Sequence, residues 1–150
     1  MSKSKDLDYL MSVIDRVSDK VNKYEKRPHN YGSGDFLYVV EVHTLDLIGS
    51  NIEITSSEIA RRTFKTKGAV SQIIDKLIKK KLIKQRKSEV DARKNIFELT
   101  KKGLEVYLTH LEVDKIAHNR YLERLQDQGY SDSDFKKCSA ILNIIFKLEH

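Results

Sequence analysis

Residues 55–103 decide the fold, and they read TSSEIARRTFKTKGAVSQIIDKLIKKKLIKQRKSEVDARKNIFELTKKG. This stretch carries 15 Lys and Arg against 5 Asp and Glu, whereas the rest of the chain carries 13 against 17. The net charge of +6 over 150 residues therefore conceals a basic segment between mildly acidic arms. Because duplex DNA is a dense line of phosphates, such a segment favours nucleic-acid binding.

The basic segment begins with two predicted helices. Thr55 and Glu58 have the spacing of a capping box, so the first helix is expected to begin at Ser56. A second cap at Thr66 opens a longer helix with polar residues opposite an apolar stripe. The stripe consists of Val70, Ile73, Ile74, Leu77 and Ile78. Two helices this close together must cross at a steep angle, as in a helix-turn-helix.

A β-hairpin is predicted after the second helix. Residues 82–86 and 95–99 are strand-like runs, and they bracket a charged tip at residues 87–94. Helix, turn, helix and hairpin is the order of a winged helix-turn-helix. The predicted fold class is therefore mainly α with a small β-hairpin wing.

The arms on both sides of this module are predicted to be helical. Apolar residues recur at steps of three and four over residues 7–24, 36–48 and 104–125, and the last of these patterns is interrupted near Lys115. Residues 26–34 break the chain after the first helix, and Ser131 caps a final one. Terminal helices this apolar need a partner, so we expect a homodimer that sets two recognition helices about 34 Å apart on DNA.

The bulk composition bounds the class of protein. A chain of 150 residues is expected to form one domain over 1–150, with dimerisation helices at 1–30 and 104–150 and a winged helix-turn-helix at 35–103. No apolar run approaches the ~20 residues that a bilayer requires, and the N-terminus shows no secretory signal. The single cysteine, Cys138, fits a cytoplasmic location, and we expect it to be buried on an apolar stripe.

Three motifs resemble the MarR family of bacterial transcriptional regulators. They lie at residues 57–60 (SEIA), 69–77 (AVSQIIDKL) and 91–103 (DARKNIFELTKKG). The resemblance covers nearly the whole chain and implies an obligate dimer. Lys81 stands where the family usually has glycine, so the end of the recognition helix is expected to be wound differently. Residues 41–49 are also similar to helix 2 of the subgroup that represses fatty-acid synthesis genes in response to acyl-acyl carrier protein.

DNA contacts are expected from the second helix, the start of the first, and the hairpin. Gln72 and Ser71 can hydrogen-bond base edges, and the helix N-terminus suits phosphates. Hairpin cations would reach the minor groove, with Asp91 orienting Arg93 by a salt bridge. The predicted contacts are Ser56, Ser57, Arg61, Thr66, Lys67, Gly68, Ala69, Ser71, Gln72, Lys76, Lys87, Ser88, Arg93 and Lys94. The alternative is an ordinary solvated surface.

Two further sites are weaker candidates. Tyr31, Phe36, His43 and Tyr107 are expected to line a ligand pocket between the helix 2 region and the dimerisation helices. His43, His110, Asp114 and His118 are candidate metal ligands, because zinc-sensing members of the resembled family place ligands in this region. A half-buried histidine is the commoner alternative, so no metal or other cofactor is expected.

No glycine-rich phosphate loop, nucleophile elbow or HExxH pair is present, so an enzyme is not expected. The sequence predicts a homodimeric, sequence-specific DNA-binding transcriptional regulator, a repressor of a pseudo-palindromic site, controlled by a small-molecule or acyl-carrier effector. Two alternatives stay open. One is a zinc-responsive regulator, and the other is a winged-helix module that binds an acidic protein partner.

Overall fold

A computed structural model describes residues 4–148, so that 1–3 and 149–150 of the expected domain lie outside the described residues. The elements are α1 (Lys5–Glu25), β1 (His29–Asn30), β2 (Phe36–Leu37), α2 (Val39–Gly49), α3 (Ser56–Thr63), α4 (Lys67–Lys79), β3 (Ile83–Lys87), β4 (Asn95–Leu99), α5 (Lys101–Gln126) and α6 (Asp132–Phe146). The predicted fold class is confirmed. The contacts divide the chain into two compact units, one ending at His110 and the other beginning at Leu111.

The helix-turn-helix forms as its caps predict. The Thr55 hydroxyl accepts from the Glu58 amide at 3.2 Å, and the Thr66 hydroxyl accepts from the Ala69 amide at the same distance. The apolar stripe of α4 is buried except at its end, where Ile78 is exposed. This stripe packs in one core with residues of α2, α3 and α5, which include Leu45, Ile59 and Val106. The core therefore leaves only the polar face of α4 on the surface.

The C-terminal end of α4 is closed by a left-handed residue. Lys81 has φ 60°, its amide donates to the Ile78 carbonyl at 2.8 Å, and the Leu82 amide donates to the Leu77 carbonyl at 2.9 Å. These two bonds define a Schellman motif, in which glycine is the usual left-handed residue. The expectation that lysine changes the winding here is wrong. Leu77 and Leu82, which form the second of these bonds, are both buried, and their burial stabilises the left-handed turn.

The wing is the antiparallel pair β3–β4, with Ile83 opposite Leu99 and Lys87 opposite Asn95. Ahead of α3, Ile54 forms an isolated antiparallel bridge with Phe97 of β4. The third motif ends in glycine because Gly103 lies directly against the Leu82 backbone. A Cβ at this position would overlap the Leu82 carbonyl oxygen. This close approach of α5 to the start of the wing excludes every side chain at position 103.

The arms differ from the expectation in two places. β1 lies inside the predicted break and pairs with β2 as a very short antiparallel hairpin, with His29 opposite Leu37. β2 takes the first residues of the segment predicted to be helical, so that α2 begins at Val39. The interruption expected near Lys115 is absent, since α5 runs unbroken from Lys101 to Gln126. No proline or glycine occurs between residues 104 and 126, so the backbone ladder continues although the apolar pattern shifts.

Both units expose apolar side chains along their helices. In the first unit these include Leu7, Val17 and Val21 of α1, and in the second they include Ile116 of α5 and Ile144 of α6. Cys138 is exposed on α6, which contradicts the expected burial because this helix buries none of its residues within the protomer. Among residues 4–148, no helix combines the length and the apolar character that a membrane span requires.

Candidate nucleic-acid interface

The exposed face of α4 carries the side chains predicted to read DNA. Ser71, Gln72 and Lys76 are exposed, as are Thr66 and Lys67 at the helix start, while Ala69 is half-buried. A Cβ placed on Gly68 would have no atom within 4 Å, so this position opens onto solvent. The arrangement presents a hydroxyl, an amide and ammonium groups on one surface, with backbone accessible beside them.

The first helix of the motif holds two arginines on one carboxylate. Glu58 Oε1 lies 2.7 Å from both Arg61 Nη2 and Arg62 Nε, and Glu58 Oε2 accepts from Arg61 Nε at 3.1 Å. The hydrogen bonds from Arg61 and then Arg62 lower the pKa of Glu58 to about 2. The same contact raises the pKa of Arg61. Glu58 therefore offsets part of the positive charge that faces away from the core.

The tip of the wing is organised by Asp91. Its carboxylate accepts from the backbone amide and the Nε of Arg93, each at 3.1 Å, and lies 3.9 Å from Lys94 Nζ. These bonds lower the pKa of Asp91, with the Arg93 side chain as the largest cause. The Arg93 side chain is nevertheless 91% exposed. The Asp91 carboxylate thus holds both the backbone and the side chain of Arg93, as an orienting residue must, while the Arg93 side chain projects into solvent.

Ser88 is a structural residue of the wing, which corrects its predicted role in DNA contact. It is only 6% exposed, and its hydroxyl donates to Glu53 at 2.8 Å. The same oxygen accepts from the amides of Val90 and Asp91 at 3.2 Å. Glu53 was missed from the sequence, although its hydrogen bond from Ser88 lowers its pKa. Nothing in the sequence around Glu53 indicated that this acidic residue binds and stabilises the hairpin.

A cleft of about 520 Å³ lies between the start of α3 and the wing. It brings together four predicted contact residues, and its lining is Thr55, Ser56, Ser57, Glu58, Arg61, Lys94 and Asn95. Lys87, the remaining predicted contact, is exposed at the end of β3. Hydroxyls and cations from two elements thus share one concave surface, which is the chemistry of a phosphate contact.

A second cavity, of about 670 Å³, lies between the ends of α1 and α3 and one side of α2. Its lining is Asn22, Glu25, Lys26, Val39, Val40, His43, Asp46, Leu47, Ser50, Arg62, Thr63 and Lys65. Of the residues predicted for a ligand pocket, only His43 is in this set. Tyr31 belongs to the buried core, Phe36 is exposed and Tyr107 packs beside Gly49. The sequence did not indicate that α3 supplies one wall.

Two histidines and one carboxylate meet beside this cavity. His110 is buried, and its Nδ1 lies 3.0 Å from Asp46 Oδ2. The rings of His43 and His110 are 5.8 Å apart, and one ligand atom from each of the three residues lies within 4.8 Å of the others. Two of the predicted metal ligands, Asp114 and His118, are not part of the cluster found within the described residues 4–148. Asp46 was missed, although it follows His43 by three residues on α2.

Comparison with known proteins points to one family. Residues 38–94 match the sequence model of the MarR family. The chain is 30% identical over 93 residues to the HTH-type transcriptional regulator PchR of Bacillus subtilis, a match that covers 60% of this chain and 55% of PchR, so about half of that relative is spanned.

Solved structures share the fold. The adhesin competence repressor AdcR of Streptococcus pyogenes aligns with a TM-score of 0.73 at 22% identity, over 92% of this chain and 96% of AdcR. ZitR of Lactococcus lactis, a zinc-responsive MarR family member, aligns at 0.68 with 23% identity over 95% of both chains. FabT of Streptococcus pneumoniae, solved in complex with DNA, aligns at 0.61 with 26% identity over 93% of this chain and 92% of FabT.

Proposed function

We propose that this chain is a MarR-family protein, because residues 38–94 match the sequence model of that family and its fold is shared by the MarR family member ZitR. We further propose that it is a homodimeric, sequence-specific DNA-binding transcriptional regulator. In this proposal it represses by inserting α4 of each protomer into successive major grooves of a pseudo-palindromic site. The wing adds contacts to the minor groove and its phosphates.

One observation carries the proposal, and it is the exposed polar face of α4 beside an exposed, oriented arginine. Ser71 and Gln72 are exposed on a helix whose opposite face is buried at Val70, Ile73, Ile74 and Leu77, so they are accessible to a partner. Gly68 lies one turn earlier with open space around it, which permits close approach of a phosphate. Arg93 extends the same cationic module at the wing.

The test is a titration of the purified protein against duplex DNA from upstream of its own gene and against a scrambled duplex of equal length. We expect at least a thousandfold preference for the native sequence at physiological salt. Gln72→Ala is expected to weaken binding to the native duplex by roughly tenfold or more, whereas Gln126→Ala, at the end of α5, serves as a control with wild-type affinity. Equal affinity for both duplexes would contradict sequence-specific readout.

Dimerisation is proposed from the apolar faces that each unit leaves exposed on its own. Leu7, Val17 and Val21 on α1 form a stripe at helical spacing, and isolated helices of this kind are stabilised by a partner. Light scattering on dilute protein measures the mass directly. A mass of 17.4 kDa at the concentrations used for DNA binding would contradict this part of the proposal.

Effector binding is proposed for the 670 Å³ cavity. Val39, Val40 and Leu47 give it apolar walls, while Lys26 and Arg62 place cations at its edges, so an apolar molecule with an acidic group fits its chemistry. An effector that changes DNA affinity must bind the DNA-bound and free forms with different affinity. Octanoate is a suitable probe, and we expect it to weaken DNA binding in wild type but not in a Val40→Trp variant that fills the cavity.

The histidine cluster favours a second candidate function, regulation by zinc. Two imidazoles and a carboxylate are a donor set that zinc accepts, and His43, Asp46 and His110 have the required proximity. Elemental analysis of the purified protein, with and without chelator, tests this directly. We expect bound zinc to be lost in His110→Ala and retained in His118→Ala. Metal-free protein whose DNA affinity ignores added zinc would rule the idea out.

One double variant distinguishes DNA recognition from the other alternative, in which an acidic protein partner docks on the basic face. Gln72→Ala combined with Arg93→Ala removes base contacts while most of the positive charge remains. Loss of DNA binding with unchanged binding of an acidic carrier protein favours the regulator that also uses a carrier. Binding of the carrier protein by wild type, without preferential binding of the native duplex, would favour docking alone.

A further inference from the structure

A buried ion pair joins α2 to the end of α4. Glu41 is 1% exposed, and its Oε1 lies 2.8 Å from Lys80 Nζ. Its other oxygen, Oε2, accepts from the Tyr38 amide at 2.8 Å and so caps α2. Lys80 also donates to the Phe36 carbonyl at 3.0 Å. Both oxygens of the buried carboxylate therefore have a partner, and the ammonium group that pairs with it belongs to a half-buried lysine.

Lys80 is the C-cap of α4, and its backbone is held as firmly as its side chain. Lys102 Nζ donates to the Lys80 carbonyl at 3.3 Å and pairs with Asp35. The Thr100 hydroxyl donates to the next carbonyl along, that of Lys81, at 2.7 Å. One end of α4 is thus attached to α2, to the loop before it and to α5. The other end, at Thr66 and Lys67, is exposed.

Stability alone is a poor explanation for this pair. Removing two charges from water costs more than most ion pairs regain, and apolar residues of similar size are often as stable or more stable in such positions. An ion pair that is also hydrogen-bonded to the Tyr38 amide and the Phe36 carbonyl does, however, fix the direction in which the two helices meet. Because α4 is anchored at Lys80, the direction of the helix axis at that end determines where Ser71 and Gln72 project.

We propose that Glu41 and Lys80 are positioning residues for DNA recognition, which fix the orientation of α4 against α2. This inference rests on the proposed function and deepens it. α2 carries Glu41 on its buried face and presents His43, Asp46 and Leu47 to the 670 Å³ cavity. The pair therefore connects the helix that lines the cavity to the helix that reads DNA, and a shift of α2 is passed to α4.

The first experiment separates positioning from stability. In Glu41→Leu/Lys80→Met the ion pair becomes an apolar pair, and we expect the melting temperature to remain at or above that of wild type. The ratio of affinities for native and scrambled duplex is expected to fall about tenfold, with binding to the scrambled duplex changed less than twofold. Lys101→Met/Glu105→Leu removes the same two charges from exposed positions and is expected to keep the wild-type ratio.

A double variant that melts as wild type and discriminates as wild type would overturn the proposal. Glu41→Gln provides a second variant of nearly the same shape. It leaves Lys80 without its ionic partner, and we expect the same loss of discrimination at a temperature well below its melting point. Full discrimination in this variant would likewise overturn positioning.

The second experiment needs no DNA. Spin labels are attached at Ser50→Cys, after α2, and Lys67→Cys, at the start of α4, in a Cys138→Ser background, with unlabelled protein in excess. We expect a broader distribution of label distances in Glu41→Leu/Lys80→Met than in the matched control. An unchanged distribution would overturn the proposal even if wild type discriminates. If wild type does not discriminate, the proposed function fails, and these distances still decide whether the pair orients α4.

Discussion

Replacing Lys81 by glycine is expected to stabilise the protein, although it removes a side chain. Lys81 closes the Schellman motif of α4 with φ 60°. A non-glycine residue in the left-handed region costs about 1–2 kcal/mol relative to right-handed geometry. Glycine adopts this conformation freely, but it adds roughly 0.4–1 kcal/mol of conformational entropy to the unfolded chain. The difference leaves a net gain of about 0.5–1 kcal/mol.

The contacts of Lys81 do not offset this gain. Its side chain is exposed, and its amide and carbonyl keep their bonds to Ile78 and Thr100 when the side chain is removed. Lys79 offers a matched control, since it is an exposed lysine two residues earlier and, as the last residue of α4, still has helical backbone geometry. Glycine at that position loses about 1 kcal/mol of helix propensity. The same substitution, with the same change of charge, is thus expected to have opposite signs at two neighbouring positions.

The assay is urea unfolding followed by circular dichroism, with all proteins at one concentration because the proposed dimerisation would make stability concentration-dependent. For a chain of this size, the expected gain corresponds to a rise in melting temperature of about 1–4 °C. We expect the order of stability to be Lys81→Gly, then wild type, then Lys79→Gly. A Lys81→Gly variant as unstable as Lys79→Gly would show that the end of α4 is not left-handed.

Three other outcomes are expected. Gly103→Ala would place a methyl group against the Leu82 carbonyl oxygen, so we expect a loss of several degrees in melting temperature. Gly68→Ala, in α4 with open space around it, is expected to melt at or slightly above the wild-type temperature and to lose DNA affinity. Glu58→Gln removes the ionic partner of Arg61 and Arg62, so we expect tighter binding to scrambled duplex and a steeper dependence of that binding on salt. A filter-binding titration measures both. Unchanged salt dependence would refute the role of Glu58 in offsetting charge. The pKa of Glu58 is lowered from 4.5 to about 2, so its contribution to stability is complete above pH 4.5 and is lost as the pH falls towards 2. Acid unfolding of Glu58→Gln is therefore expected to depend less on pH in that window than acid unfolding of wild type. Identical unfolding curves for the two proteins would contradict the pairing.

Local pattern accounts for the helix-turn-helix and the wing. The caps at Thr55 and Thr66 and the apolar spacing of α4 involve residues within one or two turns, so the sequence alone predicts where both helices begin. The same is true of β3 and β4, which a single tip connects. Asp91 and Arg93 lie two residues apart, and their pairing was predicted for the same reason.

The candidate site was only partly predictable because several of its contacts join distant residues. Ser88 was expected on the DNA surface, but Glu53, 35 residues away, draws its hydroxyl into the wing. The continuity of α5 was missed for a different reason. The buried residues of α5, Gly103, Val106 and His110, all lie in its first ten residues, and the end of this buried face resembles a break when only periodicity is considered.

The sequence by itself therefore determined the helix-turn-helix, the wing, the basic segment and the resemblance to MarR regulators, since each depends on neighbouring residues or on charge composition. Only the tertiary structure decided which polar groups that are distant in the sequence meet. Asp46 reaches His110 across 64 residues and Glu41 reaches Lys80 across 39. The physical reason is that a carboxylate has many cationic partners of equal chemistry along the chain, and the packing of the apolar core selects one of them.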